Sequence, residues 1–215
     1  MTDTPSVDWF ALSPTLALLA AVGLALLAAV LAPSSWRKPL AAGIAAAGFA
    51  TAAALAVVLY VESADGELVL VDAFARDRLT ALTTVIVAGA GLLSVGISWS
   101  ERLGRGEHVG EYYALLAAAG GGMVFLVGAS NLLTLFLGLE WFSISLYILC
   151  AIAAERPGSL EAGLKYLIVG SFGSAVLLFG SALVYGATGE LGFDAIATAA
   201  RTGGLEDDPL LLAGL

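Results

Sequence analysis

Residues 131 to 186 read NLLTLFLGLEWFSISLYILC AIAAERPGSL EAGLKYLIVG SFGSAVLLFG SALVYG, two long apolar runs joined by the polar turn Glu155-Arg156-Pro157-Gly158-Ser159. Each run is about the 20 residues that an α-helix needs to cross a hydrocarbon core. Each also carries an isolated ionisable side chain, Glu140 in the first and Lys165 in the second, with Glu161 one turn before the lysine. A charge at the centre of a spanning helix costs roughly 2.5–3.5 kcal/mol on insertion scales, so such residues call for a chemical explanation.

Outside this stretch the chain has the same character. It is 60% hydrophobic and 13% charged, with a mean hydropathy of +0.95; a soluble domain carries about 25% charged residues. The expected fold is an all-α, polytopic transmembrane bundle. Abundant Ala and Leu, with little period-2 alternation, argue against an outer-membrane barrel. Net charge of −9 offers no electrostatic footprint for nucleic acid. The single cysteine, Cys150, leaves no internal disulfide, and the single histidine, His108, falls in a polar connection as a solvated residue.

Six crossings are expected: Ala11 to Ala32, Leu40 to Val61, Leu79 to Trp99, Tyr112 to Val127, Leu132 to Ala154 and Leu160 to Gly186. The first residues hold Asp3 and Asp8 but no cation, unlike a signal peptide, so the first run is read as a retained helix. Pro33 to Pro39 reads as a compact interfacial turn, and Gly120-Gly121-Gly122 as a soft centre of the fourth helix. Gly128 to Asn131 divides the fourth helix from the fifth, with Ser130 or Asn131 as cap. Glu67 to Val71 alternates and reads as a short strand or an extended loop, after which Ala73 to Arg78 leads into the third helix. Asp72, Arg76, Asp77 and Arg78 form either a solvated ion-pair network or an anchor for a neighbouring subunit.

Residues 190–208 read as an external connection with a surface helix over Ala195 to Arg201, and Pro209 to Leu215 as the opening of a seventh crossing. A membrane protein seldom stops inside a span, so residues 1–215 are expected to be one transmembrane domain within a longer subunit. Arg37, Lys38, Arg102, Arg105 and Arg156 lie on one side, and Arg76, Arg78 and Arg201 on the other. By the positive-inside rule this orientation places the amino terminus outside.

Glu140, Ser143 and Tyr147 stand at i, i+3 and i+7, so a carboxyl, a hydroxyl and a phenol share a helix face of the kind a hydrated proton path uses. Burial disfavours the ionised form of either Glu140 or Lys165, and a nearby opposite charge restores it, so a moving counter-charge would switch protonation. Counted from the turn, Glu140 lies some 20 Å deep and Lys165 about 10 Å deep, too far apart for a direct pair. Plain structural alternatives stand beside these readings. Glu140 can hydrogen-bond a neighbouring helix, and Lys165 can pair with Glu161 and snorkel to the surface. Gly170, Ser174 and Ser181 read as a small-residue packing seam.

Asn131 to Glu140, Ser143 to Tyr147, Glu161-Ala-Gly-Leu-Lys-Tyr166 and Tyr185-Gly-Ala-Thr-Gly189 together resemble the antiporter-like membrane subunits of the proton-pumping NADH-quinone oxidoreductase, respiratory complex I. Asp72-Ala-Phe-Ala-Arg76 is similar to the same pattern. The glutamate motif is shared by subunits N, M and L and by Mrp-type cation antiporters; the lysine and Tyr-Gly-Ala-Thr-Gly motifs favour subunit N. The resemblance implies a proton-translocating subunit of about fourteen crossings in a prokaryotic cell membrane. It makes Glu140 and Lys165 proton-relay residues and the other membrane-arm subunits the partners. It implies no cofactor or metal in this chain, with NADH, flavin, iron-sulfur clusters and quinone in or between partner subunits. Asn131 stands where the family often has an aspartate, and the family's further channel residues fall beyond Leu215. A cation/proton antiporter subunit without a redox partner is the second reading, and a purely structural membrane piece the third.

Overall fold

In the computed structural model, which describes residues 7–62, 66–100 and 108–215, eight α-helices and one small hairpin follow in chain order. They are α1 (Ser13–Leu31), α2 (Ser34–Glu62), β1 (Glu67–Val69), β2 (Phe74–Arg76), α3 (Arg78–Ser98), α4 (Val109–Val127), α5 (Leu132–Cys150), α6 (Pro157–Thr188), α7 (Phe193–Thr202) and α8 (Pro209–Gly214). The first six helices are long and apolar enough to cross a membrane. These are the six runs expected from hydropathy, because in hydrocarbon only a helix satisfies its own backbone within one segment. Arg102 and Arg105, in the second basic connection, lie outside the described residues, as do Asp3 and Asp65.

The core is a four-helix cluster of α1 to α4, built mostly of alanines around two large side chains. Phe49 and Tyr113 are fully enclosed, with Leu18, Ala45, Ala88 and Ala117 about them. Small residues dominate because lipid supplies no hydrophobic drive between helices, so close backbone packing has to hold them together. The Phe49 ring lies directly against Gly91 of α3 and Gly120 of α4. Ala21 sits on Gly48, and Ala29 on Gly110, in the same manner. The triple glycine of α4 is therefore a packing surface within an unbroken helix. Gly122 meets the backbone of Phe142, while Gly138 meets that of Leu126, so α4 and α5 interlock by glycines from both sides.

One expectation changes. Ser34 to Pro39 is helix: α2 begins at Ser34 and contains Pro39, with Pro33 accepting from the amides of Trp36 and Arg37. A proline in the second turn removes only the bond to Ser35, which a helix start tolerates. Within the segment that leads into α3, Phe74 to Arg76 form strand β2, antiparallel to β1 with Val69 opposite Phe74. The return between the strands passes through Leu70, Val71 and Asp72 at φ of 58°, 56° and 60°. Three consecutive non-glycine residues in the left-handed region are strained, at a cost of order 1–3 kcal/mol each, so neighbouring contacts must hold them.

Those contacts come from two other connections at the same end of the bundle. Ser130 Oγ donates to Asp72 O at 2.6 Å, and Thr134 Oγ1 to Ala73 O at 2.8 Å. The amide of Ala75 donates to Gly128 O at 2.7 Å, and that of Ser130 to Ala73 O at 3.3 Å. Phe74, 2% exposed, lies against Gly128 and beside Phe125. On its other side the α4–α5 link receives the α6–α7 link, where Leu132 N donates to Leu191 O at 3.0 Å and Phe193 N to Ser130 O at 3.0 Å. A continuous hydrogen-bonded belt thus ties the ends of α2, α4 and α6 to the starts of α3, α5 and α7.

Helix α7 occupies the expected amphipathic stretch, and α8 begins at Pro209, capped by Asp208 accepting from Leu210 and Leu211. Of the acidic and basic cluster near α3, no two members pair with each other. Asp77 Oδ1 caps α3 through Thr80 N at 2.7 Å, and Arg78 lies over the Tyr60 ring. Arg76 reaches Asp8 at 2.9 Å and Glu62 at 3.4 Å.

The glycine interlock generates a paired expectation. Gly122→Ala places a methyl into the Phe142 backbone and should lower stability by about 1–3 kcal/mol, the range for overpacking. Gly23→Ala, where nothing lies within 4 Å, should be neutral or stabilising by up to about 1 kcal/mol from helix propensity. Thermal unfolding in detergent distinguishes them; equal effects would contradict the interlock. For the belt, Asn131→Ala removes the α5 cap described below and should cost about 1 kcal/mol, with Asn131→Asp near wild type, read by hydrogen exchange in the first turn of α5.

Candidate functional site

Helix α5 is positioned at its start by a capping box. Asn131 Oδ1 accepts from Thr134 N at 2.7 Å, and Asn131 N donates to Thr134 Oγ1 at 3.4 Å. Asn131 is therefore the cap, while Ser130 serves the hairpin. The cap, the Gly122 and Gly138 contacts and Trp141 against Gly121 fix the rotation of α5 on α4. That rotation decides where Glu140 points.

Glu140 is half-buried, and its Oε1 is fully enclosed with no hydrogen-bond partner among the described residues. A carboxyl oxygen so placed is costly, since a buried acceptor left unsatisfied forfeits its hydration without return. Ser143 and Tyr147, the other members of the expected face, are each 7% exposed. The three residues share one side of α5, as the spacing requires.

Helix α6 packs on α5 through a narrow stripe. Gly163 faces Ala151, and the Tyr147 hydroxyl rests on Gly170. Tyr166 stacks edge-on against the Tyr147 ring, with centroids 4.8 Å apart. Gly163, Ser174 and Val184 are its buried residues, while the exposed Leu164, Ile168, Phe172 and Phe179 are turned away from the bundle.

This register separates the two candidate relay residues. Lys165 lies near the level of Ala151, and Glu140 seven residues beyond Tyr147, giving a separation of roughly 15 Å along the helix axes. The structure does not bring them together, in accord with the depth argument. Lys165 also differs from the expectation of a buried charge. Its side chain is 73% exposed and is ion-paired with Glu161, itself 64% exposed. The physical cause is the edge position of α6, whose lysine face has no neighbour among the described residues. Glu161 and Lys165 thus form the one-turn pair that was the plain alternative for the lysine.

Two side-chain contacts, one at the site and one at the hairpin, were not legible from sequence. Tyr166 was read only as part of a motif, although aromatic residues at complementary positions on antiparallel helices could have suggested its contact with Tyr147. Arg76 was grouped with its sequence neighbours, whereas its partners stand 68 and 14 residues away and left no local signal.

Comparison with known proteins assigns this architecture. Residues 129–214, which contain the capping box, Glu140 and Lys165, match the family described as NADH:quinone oxidoreductase/Mrp antiporter, TM. The chain is 35% identical over 210 residues to NADH-quinone oxidoreductase subunit N of Chloroflexus aggregans, covering 97% of this chain and 42% of that protein. To subunit N 1 of Symbiobacterium thermophilum it is 42% identical over 126 residues, covering 59% of this chain and 25% of that protein. The fold matches a chain of respiratory complex I from Thermus thermophilus with a TM-score of 0.67 and 29% identity, over 94% of this chain and 42% of that one. It also matches a chain of the archaeal membrane-bound sulfane sulfur reductase with a TM-score of 0.76 and 22% identity, a likeness of fold alone. The chain spans less than half the length of these relatives. On these likenesses, the chain is similar to antiporter-like membrane subunits of the subunit N type.

Proposed function

We propose that this chain acts as proton-translocating membrane-arm subunit N of an NADH-quinone oxidoreductase, in a prokaryotic cell membrane with the amino terminus outside. Electron transfer takes place in other subunits, and this chain contributes proton-relay groups without redox chemistry of its own. The observation that carries the reading is the enclosed, unpartnered carboxyl oxygen of Glu140 in a spanning helix. An acceptor in that setting changes partner when a donor or a charge approaches. Ser143 and Tyr147, buried on the same face, supply a hydroxyl and a phenol along which a hydrated path can run.

Lys165 has a distinct part in this reading. Its ammonium faces outward from the described bundle, so its relay partner belongs to an element packed against α6 rather than to α5. Glu161 holds the charge while no other partner is near. Exchange between these two partners is the switch that moves the lysine's charge.

The chain's own part in the chemistry is thus to orient a carboxyl, exclude water from one of its oxygens and present an ion-paired lysine at an outer face. The neighbouring membrane-arm subunits and the surrounding lipid are its partners. NADH, flavin, iron-sulfur clusters and quinone are placed in or between those partner subunits.

Glu140→Gln in the assembled complex should leave assembly and NADH oxidation intact and reduce protons pumped per electron at least severalfold, measured by acidification of inverted vesicles. Lost assembly with normal pumping per remaining complex would make Glu140 a packing residue. Lys165→Met should slow pumping less, because Glu161 already offsets its charge; an unchanged rate would reduce the pair to a surface contact. The family description also names Mrp antiporters, which favours a cation/proton antiporter as the second reading. Sodium-dependent proton exchange in vesicles without NADH would select it.

A further inference from the structure

A small cavity lies where α1, α2, α3 and α4 meet the hairpin. Its lining includes Thr15, Phe74, Arg76, Asp77, Thr80 and Thr84, and its volume is about 20 Å³. Two of the buried side-chain atoms without a hydrogen-bond partner, Thr15 Oγ1 and Arg76 Nε, belong to residues of this one lining. Thr15 is 5% exposed, so bulk solvent does not satisfy it.

The remaining bonds of Arg76 narrow what the cavity takes. Nη1 donates to Asp8 at 2.9 Å and Nη2 to Glu62 at 3.4 Å, and the guanidinium lies over the Phe10 ring. Nε–H alone points into the protein without an acceptor. A guanidinium has five N–H donors and cannot discard its charge, so the orphaned donor is not relieved by deprotonation. A cation is repelled by it, and an anion would meet Asp77 in the lining and the two carboxylates already on Arg76. A neutral acceptor is required, which Thr15 Oγ1 can meet as donor or acceptor. About 10–15 Å³ suffices for one water and the cavity offers little more, so nothing larger enters.

We propose that this cavity is a binding site for one ordered water, which accepts from Arg76 Nε–H, hydrogen-bonds Thr15 Oγ1 and so ties the hairpin to α1. Asp77 and Thr80 in the lining give the water further polar edges. The tie matters because β2 carries Phe74 and Ala75, which hold the α4–α5 link through Gly128. The buried Nε–H of Arg76 then has its acceptor, beside the two carboxylates on Nη1 and Nη2.

The sign of one substitution separates a wet cavity from a dry one. In a dry cavity, Thr15→Val removes an uncompensated buried hydroxyl and is neutral or stabilising. With the water present, the same isosteric change strips a partner from it and leaves Arg76 Nε unsatisfied. In the full-length chain within its assembled complex, a high-resolution map should show a density peak within hydrogen-bond distance of both atoms. Thr15→Val should lose that peak and speed exchange of the Ala75 amide roughly five- to tenfold, with Thr15→Ser close to wild type. No peak in a wild-type map that resolves other buried waters overturns the site. A peak accompanied by unchanged or slower exchange in Thr15→Val overturns the tie.

Discussion

A peptide N–H or C=O left unpaired in hydrocarbon costs several kcal/mol, and the arrangement of this chain follows from where that cost is avoided. Within the spans the helix pairs its own backbone. At the ends of the helices it cannot, because each terminus leaves four groups without an intrahelical partner. At one end of the bundle, the hairpin, the α4–α5 link and the α6–α7 link meet and satisfy one another's backbone. Phe74 is the apolar pin of that belt, and Ser130 and Thr134 are its polar clasps. The strained return at Leu70 to Asp72 persists because these clasps take up the carbonyls it presents.

The orientation of Glu140 descends from the same belt. Asn131 sets where α5 begins, and the reciprocal glycine contacts with α4 set its rotation. Small residues confer rigidity here. A leucine at any of these glycines would push the helices apart and turn the carboxyl towards lipid or solvent. The candidate site thus rests on packing side chains that have no chemistry of their own.

Much of this was legible in the sequence, and the remainder was hidden for physical reasons. Hydropathy alone located six spans, with the largest boundary error at the start of α2, because the length of a crossing is imposed by the bilayer. Asn131 was legible as a cap, since an Asx before an apolar run has a local function. The hairpin was only half legible. Glu67 to Val69 alternates, but Phe74 to Arg76 joins it as a strand only because the α4–α5 link offers a second edge, a contact more than 50 residues away. The glycine triplet read as weakness because its partners Phe49, Trp141 and Phe142 lie on other helices. Lys165 read as buried because sequence records the apolarity of its neighbours but not which side of α6 is covered.

The central claim is that Glu140 changes protonation as the complex turns over. Infrared difference spectroscopy on the assembled complex during NADH oxidation tests it directly, by following the stretching band of protonated carboxyl groups. The account predicts a turnover-dependent band that disappears in Glu140→Gln while electron transfer continues. The same band persisting undiminished in that variant would place the proton elsewhere and contradict the account.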